Sequence, residues 1–441
     1  MIGTPRTRAR QRAQVLSLGA LALLAALALS GCGHSSRRTA GTSVKTTPGP
    51  PQASGPAFGI TEDNADLLWS PAAPAPPQAA PFLAARRQLT ALHPRYIRLL
   101  IDWAALQPIA SSPPDLRAPV SGCARQVGPC GSYEGVAGEL AAIASQQRAA
   151  RAAGRQGFEV VIDILGAPAW AALPPHGCEL AGTPASARPI SAPALAGYRA
   201  LIAGLLALAA REGVQLPWWS PWNEPNDPRF LAPQRGACAP DGGPLAPGVY
   251  AQLAEAMAAE LKAAGGEHRI LLGELGGYDR GSPHRLSIGG FLDALPAGVL
   301  CLSDTWAVHA YVKRGRRASE PDPVGALERA LDARGGCASG ARIWVTESGA
   351  GAPSPGRPRQ GGGGEELAAC GALAAQTGKW RSDPRVEAIF QYEFRDDPAF
   401  PVGVASADLS RLRSTYQVWL ALSRAREASS PVSTPAAICG S

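Results

Sequence analysis

The sequence predicts a single (β/α)8 barrel, the TIM-barrel architecture. Short apolar segments rich in β-branched residues alternate with long alanine-rich segments, a pattern typical of strands and helices in βα units. Residues 58–441 exceed the usual length of one domain, but α/β barrels routinely reach this size. The same unit, one predicted strand followed by one predicted helix, therefore repeats along the chain after its first 57 residues.

The predicted elements fill eight βα units in strict alternation. The strands are expected at 58–61, 96–101, 159–164, 218–222, 270–273, 305–309, 343–346 and 388–392. The helices are expected at 80–92, 135–153, 192–211, 249–264, 286–295, 323–333, 365–376 and 409–426. In the last helix, Leu412, Tyr416, Trp419 and Leu420 have the spacing of one helical face. Eight such units close a parallel sheet into a barrel.

The main alternative fold is an open doubly wound sheet. Such a sheet would carry a glycine-rich phosphate turn directly after its first strand. The residues at 58–64 (FGITEDN) do not form one. The glycine run at 361–364 precedes a helix but follows no strand, so the sequence favours a loop there.

The first 31 residues are predicted to be a lipoprotein signal peptide. Four arginines between positions 6 and 12 precede an apolar run at 15–29, which is shorter than the roughly 20 residues of a spanning helix. Leu29-Ser30-Gly31-Cys32 resembles a bacterial lipobox, which implies lipidation of Cys32. A plain signal peptide and a membrane anchor remain as alternatives.

Residues 32–57 are predicted to be a flexible tether, because Ser, Thr, Gly and Pro dominate them. The net charge of +7 belongs to these first segments, since residues 1–50 hold seven Lys or Arg and no acid. The remaining chain has 35 basic and 35 acidic residues and is neutral. The sequence therefore has no basic patch that would indicate nucleic acid as a partner.

Apart from Cys32, eight cysteines remain, an even number that favours disulfides in an exported chain. From the predicted order of the elements, the expected pairs are Cys123–Cys130, Cys178–Cys238, Cys301–Cys337 and Cys370–Cys439. The sequence has no CxxC and no HExxH motif, so no metal is expected.

Two glutamates in similar contexts are the candidate catalytic residues. Trp222-Asn223-Glu224-Pro225 and Trp344-Val345-Thr346-Glu347-Ser348-Gly349 each lie at the end of a predicted strand. Cleavage of a glycosidic bond needs two carboxyl groups, and a β/α barrel presents such groups at the C-terminal ends of its strands. Their separation along the chain fits two strands several βα units apart.

With these motifs, the chain from Phe58 to Arg426 resembles the retaining (β/α)8 glycoside hydrolases of clan A, which include cellulases, β-xylosidases and α-L-iduronidases. The Asn223-Glu224-Pro225 match is its most specific part. The resemblance implies that Glu224 is the acid/base and Glu347 the nucleophile. For retention the two carboxyl groups should lie roughly 5 to 5.5 Å apart.

The resemblance also implies roles around these carboxyl groups. Arg98 would orient the nucleophile, Asn223 would hold the sugar 2-hydroxyl, and Tyr311 of the pair His309-x-Tyr311 would hydrogen-bond the nucleophile. Aromatic faces suit the C–H faces of sugars. The aromatic candidates are Trp170, Trp222 and Tyr392.

The sequence departs from the pattern of this group at two places. Strand eight ends in Tyr392 where the group usually has tryptophan, and Ser348 follows Glu347 where an aromatic residue is commoner. Glu274 and Glu62 are competing carboxylates at the ends of other predicted strands.

The predicted function is that of an exported glycoside hydrolase, a bacterial cell-surface or periplasmic lipoprotein that acts on a carbohydrate with retention. No cofactor is implied, the membrane is contacted only through the lipid anchor, and a monomer is expected. One alternative is a barrel lipoprotein that binds carbohydrate without cleaving it. Another is a surface-architecture protein, although the chain has no internal repeat beyond the βα unit.

Overall fold

The computed structural model describes residues 55–62, 79–118, 120–121, 128, 132–239, 241–312, 322–351, 363–428 and 430–440. The predicted leader, the lipidation site Cys32 and most of the predicted tether lie outside the described residues. Cys123 and Cys130 also lie outside them, so their pairing stays a prediction.

Eight parallel strand positions form one closed sheet. The strands are β1 (Ala57–Glu62), β2 (Tyr96–Asp102), β3 (Glu159–Leu165), β4 (Trp218–Ser220), β5 in two segments (Arg269–Ile270 and Leu272–Leu275), β6 (Thr305–His309), β7 (Arg342–Glu347) and β8 (Val386–Tyr392). Pairing runs from the first segment of β5 through β4, β3, β2, β1, β8, β7 and β6 to the second segment of β5. The row of strands thus begins and ends on β5, which closes the predicted barrel.

One principal helix follows each strand, as the sequence predicts. The helices are α1 (Ala79–Ala91), α2 (Gly135–Ala152), α3 (Leu195–Glu212), α4 (Ala246–Ala264), α5 (Ile288–Asp293), α6 (Pro323–Arg334), α7 (Gly363–Arg381) and α8 (Tyr416–Glu427). Short helical turns at Trp103–Leu106, Ala297–Leu300 and Pro435–Cys439 and a small antiparallel hairpin, Val120–Ser121 with Ser132–Tyr133, lie between or after them.

The last helix begins later than predicted. Its expected start was 409, but α8 starts at Tyr416, and Leu412 lies in the preceding loop. The reason is that the backbone of this loop pairs with itself: Leu412 bridges Ala405, and Arg413 donates to the carbonyl of Val404 at 2.7 Å. Leu412 therefore does not share the face of Tyr416 and Trp419.

A layer of apolar side chains fills the N-terminal half of the barrel interior. Its members, at least one from each strand, are Ala57, Tyr96, Val161, Trp218, Leu271, Ala307, Trp344, Ala388 and Phe390. The Trp344 ring lies 4.4 Å from that of Trp218 and 4.6 Å from that of Tyr96, centroid to centroid. Gly59 of β1 leaves room for Phe390, because a Cβ there would lie 2.4 Å from the phenyl ring. Large rings thus replace the branched side chains common in such barrels.

Side chains alternate along a strand, so residues two positions after this layer also point into the barrel. At those positions β2 has Arg98, β3 has Asp163, β4 has Ser220, β6 has His309 and β7 has Thr346. A polar layer therefore lies directly above the apolar one, towards the C-terminal ends of the strands.

Three of the predicted disulfides are present. Cys178–Cys238 joins the loops after β3 and β4, Cys301–Cys337 joins segments before β6 and β7, and Cys370–Cys439 ties the C-terminal turn to α7. Their Cα atoms lie 4.8, 5.1 and 5.9 Å apart, within the range of normal bridges.

One described helix, Ala192–Glu212, has the length and mean hydropathy (1.5) of a membrane span. It comprises a 3₁₀ turn and α3, and it is a helix of the barrel. Tyr198, Leu201, Ile202 and Leu205 of α3 are buried in the core, which accounts for its apolar composition.

Candidate active site

Arg98 lies at the centre of the polar layer and is completely buried. Its Nη1 donates to Oε1 of Glu347 at 2.8 Å, and its Nη2 donates to Oδ2 of Asp163 at 2.8 Å and to Oδ1 of Asn223 at 3.0 Å. Its Nε and Nη2 also donate to the two oxygens of Glu274 at 3.2 and 3.1 Å. A buried cation must be paired in this way to offset its desolvation. Burial alone would lower the pKa of Arg98, but the surrounding carboxylates raise it.

Glu274 is the main buried counterion of the cluster. Its carboxylate, fully excluded from solvent, contacts Arg98 and accepts hydrogen bonds from Ser220 at 2.7 Å and Thr346 at 2.5 Å. Burial would raise the pKa of Glu274, but Arg98, His309 and Thr346 together lower it to about 2. Glu274 is thus a carboxylate without access to solvent, paired with Arg98.

The backbone explains how Glu274 enters the cluster. Gly273 has φ +95°, and a Cβ there would lie 2.5 Å from the carbonyl oxygen of Ala307. Glu274 follows with φ +50°, an uncommon conformation for a residue with a side chain. Strand β5 is therefore bent next to its neighbour β6, and its side chains do not follow the simple alternation of the other strands.

Besides Glu274, Asp163 is the other buried carboxyl group that contacts Arg98 and is not a candidate catalytic residue. Burial raises the pKa of Asp163 well above its usual range, while Arg98 opposes that shift. Its Oδ1 makes no hydrogen bond to a described residue.

His309 connects three carboxylates. Its Nδ1 lies 2.9 Å from Oε1 of Glu224 and 3.2 Å from Oε2 of Glu347, and its Nε2 lies 3.0 Å from Oε2 of Glu274. Burial alone would lower the pKa of His309, but the carboxylates of Glu347, Glu224 and Glu274 raise it to about 10. Both ring nitrogens then carry protons at neutral pH and act as donors.

Glu347 has donors on both of its carboxylate oxygens. Arg98 donates to Oε1, and the hydroxyl of Tyr311 donates to Oε2 at 2.6 Å. The sequence expectation that Glu347 lies against Arg98 and Tyr311 thus holds in the structure. These two contacts fix the position of both carboxylate oxygens of Glu347.

Glu224 follows strand β4 in a tight turn and has φ +38°. Its Oε1 is bonded by His309, and its Oε2 lies 3.3 Å from Nη2 of Arg229, an arginine of the same turn. The side chain of Glu224 is 9% exposed, so solvent reaches it only slightly. The preceding Asn223 contacts Arg98 instead of facing away from the cluster.

The candidate catalytic carboxylates are close together. One oxygen of Glu224, one of Glu347 and one ring nitrogen of His309 lie within 4.8 Å of one another. The same three groups also have the spacing of a metal site.

The aromatic candidates have different environments. Trp222 is 1% exposed, and its indole donates to the carbonyl of Phe230 at 2.9 Å, so this ring belongs to the core. Trp170 is partly exposed and packs edge-on against Trp103. Tyr392 is partly exposed and lies 6.1 Å from Tyr311, centroid to centroid.

Phe400, which the sequence reading did not single out, belongs with these two tyrosines. Its ring is 4.8 Å from that of Tyr311 and 5.9 Å from that of Tyr392. It comes from the loop after β8, and no motif marks it. Tyr392 and Phe400 therefore both pack against Tyr311.

Two further residues of the site were missed or misjudged from the sequence. Asp163 interrupts the apolar run that follows Glu159 in β3 (VVIDIL), so a signal for it was present. Arg229 lies in a loop, where neither periodicity nor a motif distinguishes it. Glu62, a rival candidate, accepts a hydrogen bond from the backbone nitrogen of Phe394 at 3.1 Å.

No family model matches this sequence, and no curated protein sequence does. Solved structures do resemble the fold. SrfJ from Salmonella typhimurium is 10% identical with a TM-score of 0.53, over 85% of this chain and 75% of that one. The endo-β1,6-glucanase BT3312 is 14% identical with a TM-score of 0.51, over 84% of this chain and 75% of that one.

A family 39 glycoside hydrolase from Bacteroides cellulosilyticus WH2 is 16% identical with a TM-score of 0.49. The match covers 84% of this chain, which spans only 64% of the length of that enzyme. At these identities the similarity concerns the fold. The chain has the (β/α)8 barrel architecture of glycoside hydrolases that its sequence motifs led us to expect.

Proposed function

We propose that this protein is a retaining glycoside hydrolase in which Glu347 is the nucleophile and Glu224 the acid/base. The observation that carries the proposal is that one carboxylate oxygen of Glu224 lies within 4.8 Å of one carboxylate oxygen of Glu347. Retaining enzymes place these groups about 5 to 5.5 Å apart, whereas inverting enzymes need about 6.5 to 9.5 Å to admit a water molecule. The short separation supports direct attack on the sugar.

In the first step, Oε2 or Oε1 of Glu347 attacks the anomeric carbon, and the bond from that carbon to the leaving oxygen breaks. Glu224 gives its proton to the leaving oxygen and becomes a carboxylate. Arg98 and Tyr311 orient Glu347 for this attack. Asn223, which accepts a hydrogen bond from Arg98, would contact the sugar 2-hydroxyl.

In the second step, Glu224 takes a proton from water, and the resulting hydroxide attacks the anomeric carbon. The ester bond to Glu347 breaks, and the sugar leaves with its original configuration. The charge of Glu347 disappears in the intermediate and returns at the end. His309, bonded to both glutamates, stabilises whichever of them is ionised.

We expect the full-length protein to hydrolyse members of a broad panel of aryl glycosides and oligosaccharides, with β-1,6-glucan included because of the glucanase neighbour. Proton NMR of the first product should show the anomer of the substrate, since two displacements restore the configuration. The inverted anomer as first product would contradict the assignment. Binding of a sugar without turnover across the panel would favour the carbohydrate-binding alternative.

We also propose that the protein is exported and anchored by a lipid at Cys32. Three disulfides are compatible with an oxidising compartment outside the cytoplasm. The basic, apolar and lipobox-like segments at the N-terminus support the anchor.

Replacing Cys32 with serine should move the protein from the membrane fraction to the soluble fraction, because a hydroxyl cannot take the thioether-linked lipid. Fractionation followed by immunoblotting measures this. Ser36→Ala, a change in the neighbouring tether, is the matched control and should leave the protein with the membrane. A Cys32→Ser protein that stays in the membrane fraction would indicate a spanning segment instead.

A further inference from the structure

The mouth of the barrel next to Glu224 carries two arginines with unused hydrogen-bonding capacity. Arg229 follows Glu224 in the loop after β4, and its side chain is 65% exposed. Among the described residues its ion pairs are with Asp227 and Glu224. Its Nη1 makes no hydrogen bond to any of them.

The contact of Arg229 with Glu224 is the longest of the hydrogen bonds that Arg229 makes to described residues. Nε and Nη2 of Arg229 bind the two oxygens of Asp227 at 3.0 Å each, while Glu224 lies at 3.3 Å. Nη2 also reaches the hydroxyl of Tyr278 at 3.1 Å, so three acceptors share its two protons. A competing anion would displace Glu224 from Arg229 more readily than Asp227.

Tyr278 links Arg229 to the second arginine. The hydroxyl of Tyr278 donates to Asp227 at 2.5 Å, and the guanidinium carbon of Arg285 lies 3.9 Å from the centre of the Tyr278 ring. Arg285 has no carboxylate within ion-pair distance in the described part of the chain, and its buried Nε has no hydrogen-bond partner there. A guanidinium held by an aromatic face without a counterion is well suited to bind an anion.

The position of this pair defines what it would contact. The leaving oxygen of a glycoside must reach the carboxyl group of Glu224, and Arg229 is in direct contact with that group. A substituent on the leaving group therefore lies within reach of Arg229. Arg285 lies on the ring face of Tyr278, whose hydroxyl Arg229 contacts. Carboxylate, sulfate and phosphate are the anions that guanidinium groups bind through two hydrogen bonds.

We propose that Arg229 and Arg285 form an anion-binding part of the leaving-group subsite, so that the substrate carries a carboxylate, sulfate or phosphate on the unit attached to the scissile oxygen. This inference rests on the proposed function. The anion also draws Arg229 away from Oε2 of Glu224. That oxygen is then released to carry the proton that the leaving group receives.

Calorimetric titration of the full-length protein with free sugars tests the site without turnover. The probes are D-glucose, D-glucuronic acid, D-glucose 6-sulfate and D-glucose 6-phosphate. The charged sugar that binds most tightly identifies the anion that the site prefers. At least one charged sugar should bind roughly tenfold or more tighter than glucose, as expected for a charge-assisted contact. Added salt should reduce this preference.

Arg229→Gln and Arg285→Gln should each remove most of the preference for the charged sugar over glucose. Arg229→Lys, which keeps the positive charge, should retain more of that preference than Arg229→Gln. Arg148→Gln, at an exposed position of α2, is the matched control and should keep the preference. The inference is overturned if no charged sugar binds tighter than glucose, or if both arginine variants keep the preference. If both variants lose the preference but the unchanged protein cleaves no glycoside, the anion site stands and the proposed hydrolysis is overturned.

Discussion

Replacing Glu347 with alanine should reduce the turnover of an aryl glycoside by roughly ten-thousandfold or more, because no other group can form the covalent intermediate. The neighbours Arg98 and Tyr311 then face a cavity that lacks one negative charge. Azide, a small anion, fits that cavity and should restore part of the activity. Release of the aryl alcohol measures both effects.

The configuration of the azide product assigns the two roles separately. In Glu347→Ala, azide attacks the substrate itself, so the glycosyl azide should have inverted configuration. In Glu224→Ala, azide attacks the glycosyl-enzyme that Glu347 still forms, so the product should retain its configuration. Glu255→Ala, at an exposed position of α4, is the control and should behave as the unchanged protein. Identical azide products from the two variants would contradict the assignment.

The barrel could be predicted from the sequence because each unit repeats the same two periods. The alternation of β2, β6 and β7 also brought Arg98, His309 and Thr346 to one layer, since each lies two residues after an apolar residue of the barrel interior. Arg98 was identified through the family resemblance, and a charged residue in an otherwise apolar strand is a further local signal for it. Asp163 carries the same signal on β3 and belongs to the same layer.

The remaining parts of the site depend on local backbone geometry that periodicity does not encode. Strand four ends at Ser220, two residues before its predicted end, and Glu224 enters the site from a left-handed turn. Glu274 lies after a left-handed glycine, so its direction did not follow from alternation. Arg229 and Phe400 come from loops whose course is set by tertiary contacts. Their roles could be recognised only once distances were known.

The second large effect concerns stability. Replacing Arg98 with methionine should lower the free energy of unfolding at pH 7 by about 3 to 5 kcal/mol, the usual cost of removing one partner from a buried ion pair. The change leaves Asp163, Glu274 and Glu347 without the guanidinium that all three contact. Methionine keeps much of the volume, so the loss reflects charge more than packing. Denaturant unfolding of the full-length protein measures it.

The pH dependence of the free energy of unfolding distinguishes the loss of a buried charge from the loss of packing. Arg98 is the largest influence that lowers the pKa of Glu274 to about 2. A depressed carboxyl pKa contributes stability above the unfolded value of 4.5, and this contribution is lost as the pH falls towards 2. The difference between Arg98→Met and the unchanged protein should therefore shrink between pH 7 and pH 4, where protons begin to replace the missing cation. Arg148→Met, on the exposed side of α2, should change the free energy of unfolding by less than about 0.5 kcal/mol at either pH. If Arg98→Met cost the same at both pH values, packing and not the charge of the buried cluster would explain its role in the barrel.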